Sequence, residues 1–120
     1  MRMKNRRTRP ITIKHKIVTR DSEGVPTISY GTPRTFTGEI WPVSDSLQAL
    51  TYGDRVSTIM NMRLRGEYTI AQELHGTVYT FDGYEIREGD GVCVHSDDSV
   101  DFQIISVKPY KPIRMEIQKL

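Results

Sequence analysis

The segment RTFTGEIWPVSDSLQALTYGDRVS, residues 34–57, holds the pattern on which the fold prediction depends. It has the pattern of a strand that runs through Trp41, is interrupted at Pro42, makes a short helical turn and then returns to strand. Because proline has a fixed φ and no N–H to donate, it ends the hydrogen-bonded pairing of a strand inside a sheet. The segment therefore predicts a sheet protein in which residues 43–52 form a loop outside the sheet.

Residue composition also favours a sheet protein. The 120-residue chain has 12 Ile, 9 Val and 12 Thr but only 5 Leu and 2 Ala, so β-branched residues greatly outnumber good helix formers. A chain of this length can fold as one domain without disulfides. We predict a mainly β protein, a small barrel or sandwich of about seven or eight short strands with long inserted loops.

Period-2 alternation of apolar and polar residues marks the clearest strands. Residues 11–19 alternate in this way, and so do residues 113–118, where Arg114 is one of the polar positions. Residues 54–62 and 67–74 also have strand character. They predict either a hairpin around RLRG or one strand with a long excursion.

Charge is distributed unevenly along the chain. Residues 1–20 contain eight of the 17 Lys and Arg and no acid, whereas residues 21–120 contain nine bases and 15 acids. This predicts a basic N-terminal arm, residues 1–20, extended from a single acidic β domain, residues 21–120. Such an arm can bind nucleic acid, or it can lie across the acidic body of a neighbouring copy.

Residue patterns for catalysis and metal binding are weak. Cys93 and His95 are the only closely spaced pair of metal-ligand types, and His15 and His75 have no partner at ligand spacing. The chain has neither a Gly-x-Ser-x-Gly sequence nor a glycine-rich phosphate loop. The carboxylates of residues 82–101 suit turns and solvated edges. We therefore predict a protein that is not an enzyme and needs no cofactor.

Aromatic residues in the predicted strands allow two interpretations. They can stack on bases, as in single-strand-binding barrels, or they can fill the core of a small barrel. Arg87 is the one basic residue among them, which favours the core. The aromatic residues concerned are Tyr68, Tyr79, Phe81, Tyr84 and Phe102. A nucleic-acid-binding small β-barrel remains an alternative.

No membrane association is expected. The chain has no apolar run near the ~20 residues that a spanning helix needs, and no signal-type apolar stretch follows the basic N-terminus. With its single cysteine it cannot form an internal disulfide, which fits a reducing compartment. We expect a soluble protein that folds in a reducing cytoplasm.

Two sequence blocks together resemble the head-closure, or stopper, proteins of tailed bacteriophages, which are also described as head–tail joining proteins. The first block is TFTGEIWPVSDSLQALTYGDRV, and the second is DGVCVHSDDSVDFQIISVKPYK. The resemblance covers residues 25–111. Its matching positions are Phe36, Gly38, Ile40, Pro42, Ser44 to Leu50, Gly53, Arg55, Val56, Asp90, Val92, Val94, Phe102, Ile104, Val107 and Tyr110.

The resemblance implies a β-barrel subunit in a homo-oligomeric, usually dodecameric, ring in the neck of the virion. Such a ring lies below the portal and adaptor rings, joins the tail through a tail terminator or tube protein, and retains packaged double-stranded DNA. A tail terminator or another neck ring protein is the alternative within viruses. Neither role requires the protein to read DNA sequence.

Candidate contact residues follow from this implied role. Arg63 and Arg65, in a predicted axial loop at residues 61–68, would face DNA phosphates in the channel. The predicted inter-subunit loop uses Trp41, Pro42, Leu47, Leu50 and Tyr52. The predicted arm would dock on a neighbouring ring through Arg2, Lys4, Arg6, Arg7, Arg9, Ile11 and Ile13.

Overall fold

The protein is mainly β, as its composition predicts. The computed structural model describes residues 8–43, 50–74, 76–95 and 99–120, without side-chain detail at 54–56. Its nine strands form two antiparallel sheets. The strands are β1 (Arg9–Arg20), β2 (Pro26–Pro42), β3 (Ile59–Leu64), β4 (Thr69–Glu73), β5 (Gly76–Phe81), β6 (Tyr84–Ile86), β7 (Gly91–Cys93), β8 (Phe102–Lys108) and β9 (Ile113–Lys119).

Six strands close into a barrel in the order β1, β2, β3, β9, β8, β7. Pairing of β7 with β1 closes the barrel, and closure removes the open sheet edges that promote aggregation. Alternate side chains along each strand point inward and form one apolar core. The core residues that the barrel segments contribute are Ile11, Ile13, Phe36, Met62, Leu64, Val92, Val94, Phe102, Ile104, Ile113, Met115 and Ile117.

The other three strands, β4, β5 and β6, form a small sheet that packs against the barrel. Aromatic rings join the two sheets, with Phe36 of the barrel in edge contact with Phe81 and Tyr84 of the small sheet. The Tyr84 hydroxyl lies 2.9 Å from the carbonyl oxygen of Ile13 and 2.7 Å from that of Thr32. These contacts fix the small sheet beside β1 and β2.

The structure corrects the predicted N-terminal arm. Residues 9–20 are barrel strand β1, which pairs with β2 on one side and with β7 on the other. Ile11 and Ile13 are fully buried in the barrel core, so they cannot dock on another ring. The apolar face of this strand completes the barrel between β2 and β7. Arg9 begins β1, and its guanidinium hydrogen-bonds the backbone oxygen of Val94. Arg2, Lys4, Arg6 and Arg7 lie outside the described residues.

The structure also shortens the predicted axial loop. Residues 61–64 belong to β3, where Met62 and Leu64 are core residues, and the connection to β4 comprises only residues 65–68. Strand β3 pairs with β2 and β9, and β4 pairs with β5. The two strands therefore lie in different sheets, joined by a short connection, and they form neither a hairpin nor one strand with a long excursion.

Strand β2 ends at Pro42, as the sequence predicts. The next strand, β3, begins at Ile59 and is preceded by a short 3-10 helix over Gly53–Thr58. Leu50 is exposed. Leu47 lies outside the described residues.

The hairpin of β1 and β2 extends beyond the residues that pair with the neighbouring barrel strands. Strand β7 pairs with β1 only at residues 12–14, and β3 pairs with β2 only at residues 38–42. Residues 16–20 and 26–30 pair only with each other among the described strands, and we call them the β1–β2 ribbon. The molecule measures 58 × 36 × 29 Å, an elongation that suits a projecting ribbon. In the described part of the chain, no helix has the length and apolar composition to cross a membrane.

Candidate nucleic-acid interface

Four adjacent barrel strands, β2, β3, β9 and β8, carry two rows of polar and aromatic side chains on their outer face. Alternation along the strands places these side chains on the side of the sheet opposite the core. Three of them, Glu39, Asn61 and Glu116, are less than 10% exposed, and the others are half-buried. The first row is Glu39, Arg63, Arg114 and Lys108, and each residue is directly opposite the next. The second row is Trp41, Asn61, Glu116 and Ser106. We call these two rows, with the adjacent Arg65, the Trp41 face.

Two arginines on this face lie against the same tryptophan. The guanidinium carbon of Arg63 is 5.2 Å from the centroid of the Trp41 ring, and that of Arg114 is 5.8 Å from it. Cations at this distance from an indole face are attracted by its quadrupole. The attraction offsets part of the repulsion expected between like charges that are directly opposite in a sheet.

Glu39 lies next to Arg63 and Arg65. Its side chain is largely buried, with the residue only 7% exposed. Its Oε1 is 3.9 Å from Arg63 Nη1 and 3.8 Å from Arg65 Nη2. A carboxylate that is this buried needs nearby positive charge. The two arginines predicted from sequence therefore share one carboxylate, and their charge is only partly neutralised.

Glu116, in the second row of the Trp41 face, is only 5% exposed and holds two neighbouring side chains in place. Its Oε1 accepts hydrogen bonds from Lys108 Nζ at 3.0 Å and from the hydroxyl of Tyr52 at 2.7 Å. Tyr52 was predicted to contact a neighbouring subunit. In the structure its hydroxyl hydrogen-bonds Glu116 and so attaches the connection between β2 and β3 to its own barrel. Pro42 is exposed at the end of β2.

Arg114 was not among the predicted site residues. The alternation in residues 113–118 put it on the polar side of a strand, but the partner strand could not be inferred, so its proximity to Arg63 was missed. Its Nε is buried and has no hydrogen-bond partner among the residues that the structure describes.

The composition of the Trp41 face suits a polyanion. Four cations, Arg63, Arg65, Arg114 and Lys108, accompany two carboxylates, and two of the guanidinium groups lie against one indole ring. Arg and Lys bind phosphates irrespective of base sequence, and an aromatic ring offers a stacking surface for bases or sugars. The face can therefore hold a nucleic-acid backbone.

The other aromatic residues named from sequence are part of the fold. Tyr79, Phe81, Tyr84 and Phe102 are buried core residues, and Tyr68 packs beside Phe81 and Tyr79. Burial raises the pKa of Tyr84 to about 12, and the charge of nearby Asp90 acts in the same direction. These rings fill space between the sheets, which is the second of the two interpretations.

The carboxylates of the turns have structural roles. Asp90 accepts hydrogen bonds from the backbone N–H groups of Lys16 and Arg87, and Asp101 accepts from those of Val94 and His95. Cys93 is buried. Among the residues that the structure describes, no group of three or more His, Cys, Asp or Glu is arranged to hold a metal ion.

Comparison of this chain with protein-family models, with curated proteins and with solved structures gave no significant match.

Proposed function

We propose that this chain is a structural subunit of a tailed-bacteriophage neck, of the head-closure or head–tail joining kind, that forms a ring around packaged DNA. The observation that carries the proposal is the Trp41 face, where Arg63 and Arg114 lie directly opposite each other beside an indole ring. A like-charged pair in a ladder is unfavourable for the isolated chain. A phosphate backbone would neutralise it without any reading of sequence.

The sequence resemblance supports the same proposal at the level of the barrel. Phe36, Ile40, Val92, Phe102 and Ile104 are matching positions of the two blocks, and all of them contribute to the core cluster or pack against it. The apolar positions of the two blocks therefore coincide with core positions of this barrel. The ring, the neck position and the partner rings follow from the resemblance and are part of the proposal, as is location in the virion.

A nucleic-acid-binding barrel that acts as a monomer is the second candidate, because the Trp41 face favours it equally. A tail terminator or other neck ring would share both the ring and the face. Oligomeric state separates the monomer from the two ring proteins. Position in the assembled particle separates the two ring proteins from each other.

The first experiment measures assembly. The purified full-length chain is examined by mass photometry and negative-stain electron microscopy over a range of concentrations, with and without linear double-stranded DNA. We expect annular particles with a central opening wide enough for a duplex. A chain that stays monomeric in all of these conditions, and is absent from any ring in the virion, would contradict the neck proposal.

The second experiment measures DNA binding by the Trp41 face. Affinity for double-stranded DNA of two unrelated sequences is measured between about 50 and 200 mM salt. The double variant Arg63→Gln, Arg114→Gln should bind both duplexes more weakly and reduce the salt slope by about 2. Arg34→Gln combined with Arg87→Gln is the matched two-charge control, because these arginines pair with Asp82 and Glu73 outside the Trp41 face. Equal binding by wild type and the double variant would show that the Trp41 face does not bind DNA.

A further inference from the structure

The β1–β2 ribbon presents apolar side chains and free strand edges to solvent. Val18 and Ile28 are cross-strand partners, and they are 51% and 55% exposed. Among the described strands, the ribbon segments 16–20 and 26–30 pair only with each other. Exposed apolar residues on a projecting two-stranded ribbon are costly in water, and an isolated hairpin is only marginally stable.

Strand β4 offers a second free edge. It pairs with β5 on one side and has no partner strand on its other side among the described residues. All five of its residues are exposed, and its apolar residue Ile70 is 50% exposed. Leu74, which directly follows the strand, is 92% exposed. An edge of this kind is a template for strand addition.

The two surfaces are complementary in charge. The ribbon segments contain Lys16 and Arg20 and no acid, and the acids Asp21 and Glu23 lie in the turn beyond the paired residues. The chain around the small sheet, residues 67–90, has Arg87 as its one Lys or Arg, and Arg87 already pairs with Glu73 and Glu85. Of the acids in this region, Asp90 is buried and Asp82 pairs with Arg34, which leaves Glu67, Glu73, Glu85 and Glu88 at the surface. Complementary fields of this kind select and orient a partner.

We propose that the β1–β2 ribbon of one copy docks along the free edge of β4 in the next copy and extends the small sheet between subunits. This inference rests on the proposed ring. The lengths agree, because each ribbon segment and β4 have five residues. Ribbon and edge are different surfaces of the chain, so the contact is heterologous and can repeat around a closed ring.

The test uses the full-length chain and measures assembly by mass photometry. Ile28→Asp and Ile70→Asp change exposed residues on the two proposed surfaces, so both variants should fold, as checked by circular dichroism and thermal melting. Each should raise the concentration needed for ring formation by about tenfold or more. Leu120→Asp is the matched control, because Leu120 is also exposed but lies outside both surfaces, and its rings should persist.

A mixing experiment tests the direction of the contact. Chains carrying Ile28→Cys and chains carrying Ile70→Cys are treated with a short bis-maleimide, separately and as an equal mixture. The buried Cys93 is common to all samples. Efficient cross-linking in the mixture, and not in either single variant, supports the ribbon-to-β4 contact.

Rings that survive both aspartate variants, or single variants that cross-link as well as the mixture, would overturn the inference and leave the ring itself standing. A wild-type chain that never forms rings is a different result, because it would remove the proposed function together with this contact.

Discussion

Arg63 of β3 and Arg114 of β9 are directly opposite each other in an antiparallel ladder, although both are cations. Cross-strand pairs of like charge destabilise a sheet by up to about 1 kcal/mol. The arrangement therefore has a cost for the single chain, and binding of an anion would remove that cost. Stability and nucleic-acid binding should consequently respond in opposite directions to changes on the Trp41 face.

Replacement of Arg114 by methionine tests this opposition. Methionine keeps an unbranched apolar side chain beside Trp41, and it removes both the repulsion of Arg63 and the unpartnered Nε. We expect the free energy of unfolding, measured in urea, to be unchanged or higher by up to about 1 kcal/mol. Affinity for double-stranded DNA, measured by fluorescence anisotropy at low salt, should fall. A variant that is clearly less stable, or that binds DNA as wild type does, would refute this interpretation of the pair.

Glu39→Gln should have the reverse effect. The substitution retains the shape of the side chain but removes the buried charge near Arg63 and Arg65. We expect the free energy of unfolding to fall by about 1–3 kcal/mol, because two arginines lose their carboxylate. DNA affinity should rise at low salt, since those arginines are no longer partly neutralised. Glu23→Gln, in the exposed turn of the β1–β2 hairpin, is the control for the change in net charge. Equal gains in affinity for both variants would show that only net charge matters.

Much of the fold could be predicted from local pattern, because alternation along a strand depends only on which face is buried. Ile11 and Ile13 were recognised as residues of a strand in this way. Their partners could not be predicted, since Ile13 pairs with Arg34 on one side and with Val92, 79 positions later, on the other. The excess of positive charge in residues 1–20 suggested an extended arm. Burial of Ile11 and Ile13 instead places residues 9–20 in a strand of the barrel.

The same limit applies to the candidate site. Arg63 and Arg65 were identified from their charge, and Trp41 from its place before Pro42, yet nothing local indicated that they lie together. The register that places Glu39 opposite Arg63, and Arg63 opposite Arg114, brings them together. Burial of Met62 and Leu64 in the core turned a predicted loop into a strand, so Arg63 lies on a rigid surface.

Ionisation of Tyr84 should make the free energy of unfolding fall at alkaline pH. Burial raises its pKa from 10.0 to about 12, so the folded chain keeps the phenol proton over a range in which the unfolded chain loses it. The unfolded state then binds fewer protons, and stability falls as pH rises. The contribution is complete below pH ~10 and is lost towards pH ~12. Tyr84→Phe should cost roughly 1–2 kcal/mol at neutral pH, because the hydrogen bond to the backbone is lost.

The measurement for Tyr84 is the difference in unfolding free energy between wild type and Tyr84→Phe from pH ~9 to ~12. We expect the difference to shrink as pH rises. Tyr110→Phe, at an exposed position, controls for general alkaline destabilisation. A difference that stays constant across this range would contradict the assignment of the alkaline loss to Tyr84.

Gly38 should be the least replaceable glycine in the barrel wall. A Cβ at this position would lie 2.2 Å from the backbone oxygen of Arg63 and 2.8 Å from Ile11 Cδ1. Strands β2 and β3 approach each other closely here, and a backbone atom cannot move aside without breaking the pairing that places Arg63 beside Trp41. Gly38→Ala should therefore lower the free energy of unfolding by about 3 kcal/mol or more.

Gly31→Ala is the matched control, because its Cβ would meet only the flexible tip of Ile17 at 3.0 Å, and it should change stability by less than about 1 kcal/mol. Urea unfolding of the two variants provides the comparison, and similar stability of both would show that β2 and β3 are not in such close contact at Gly38.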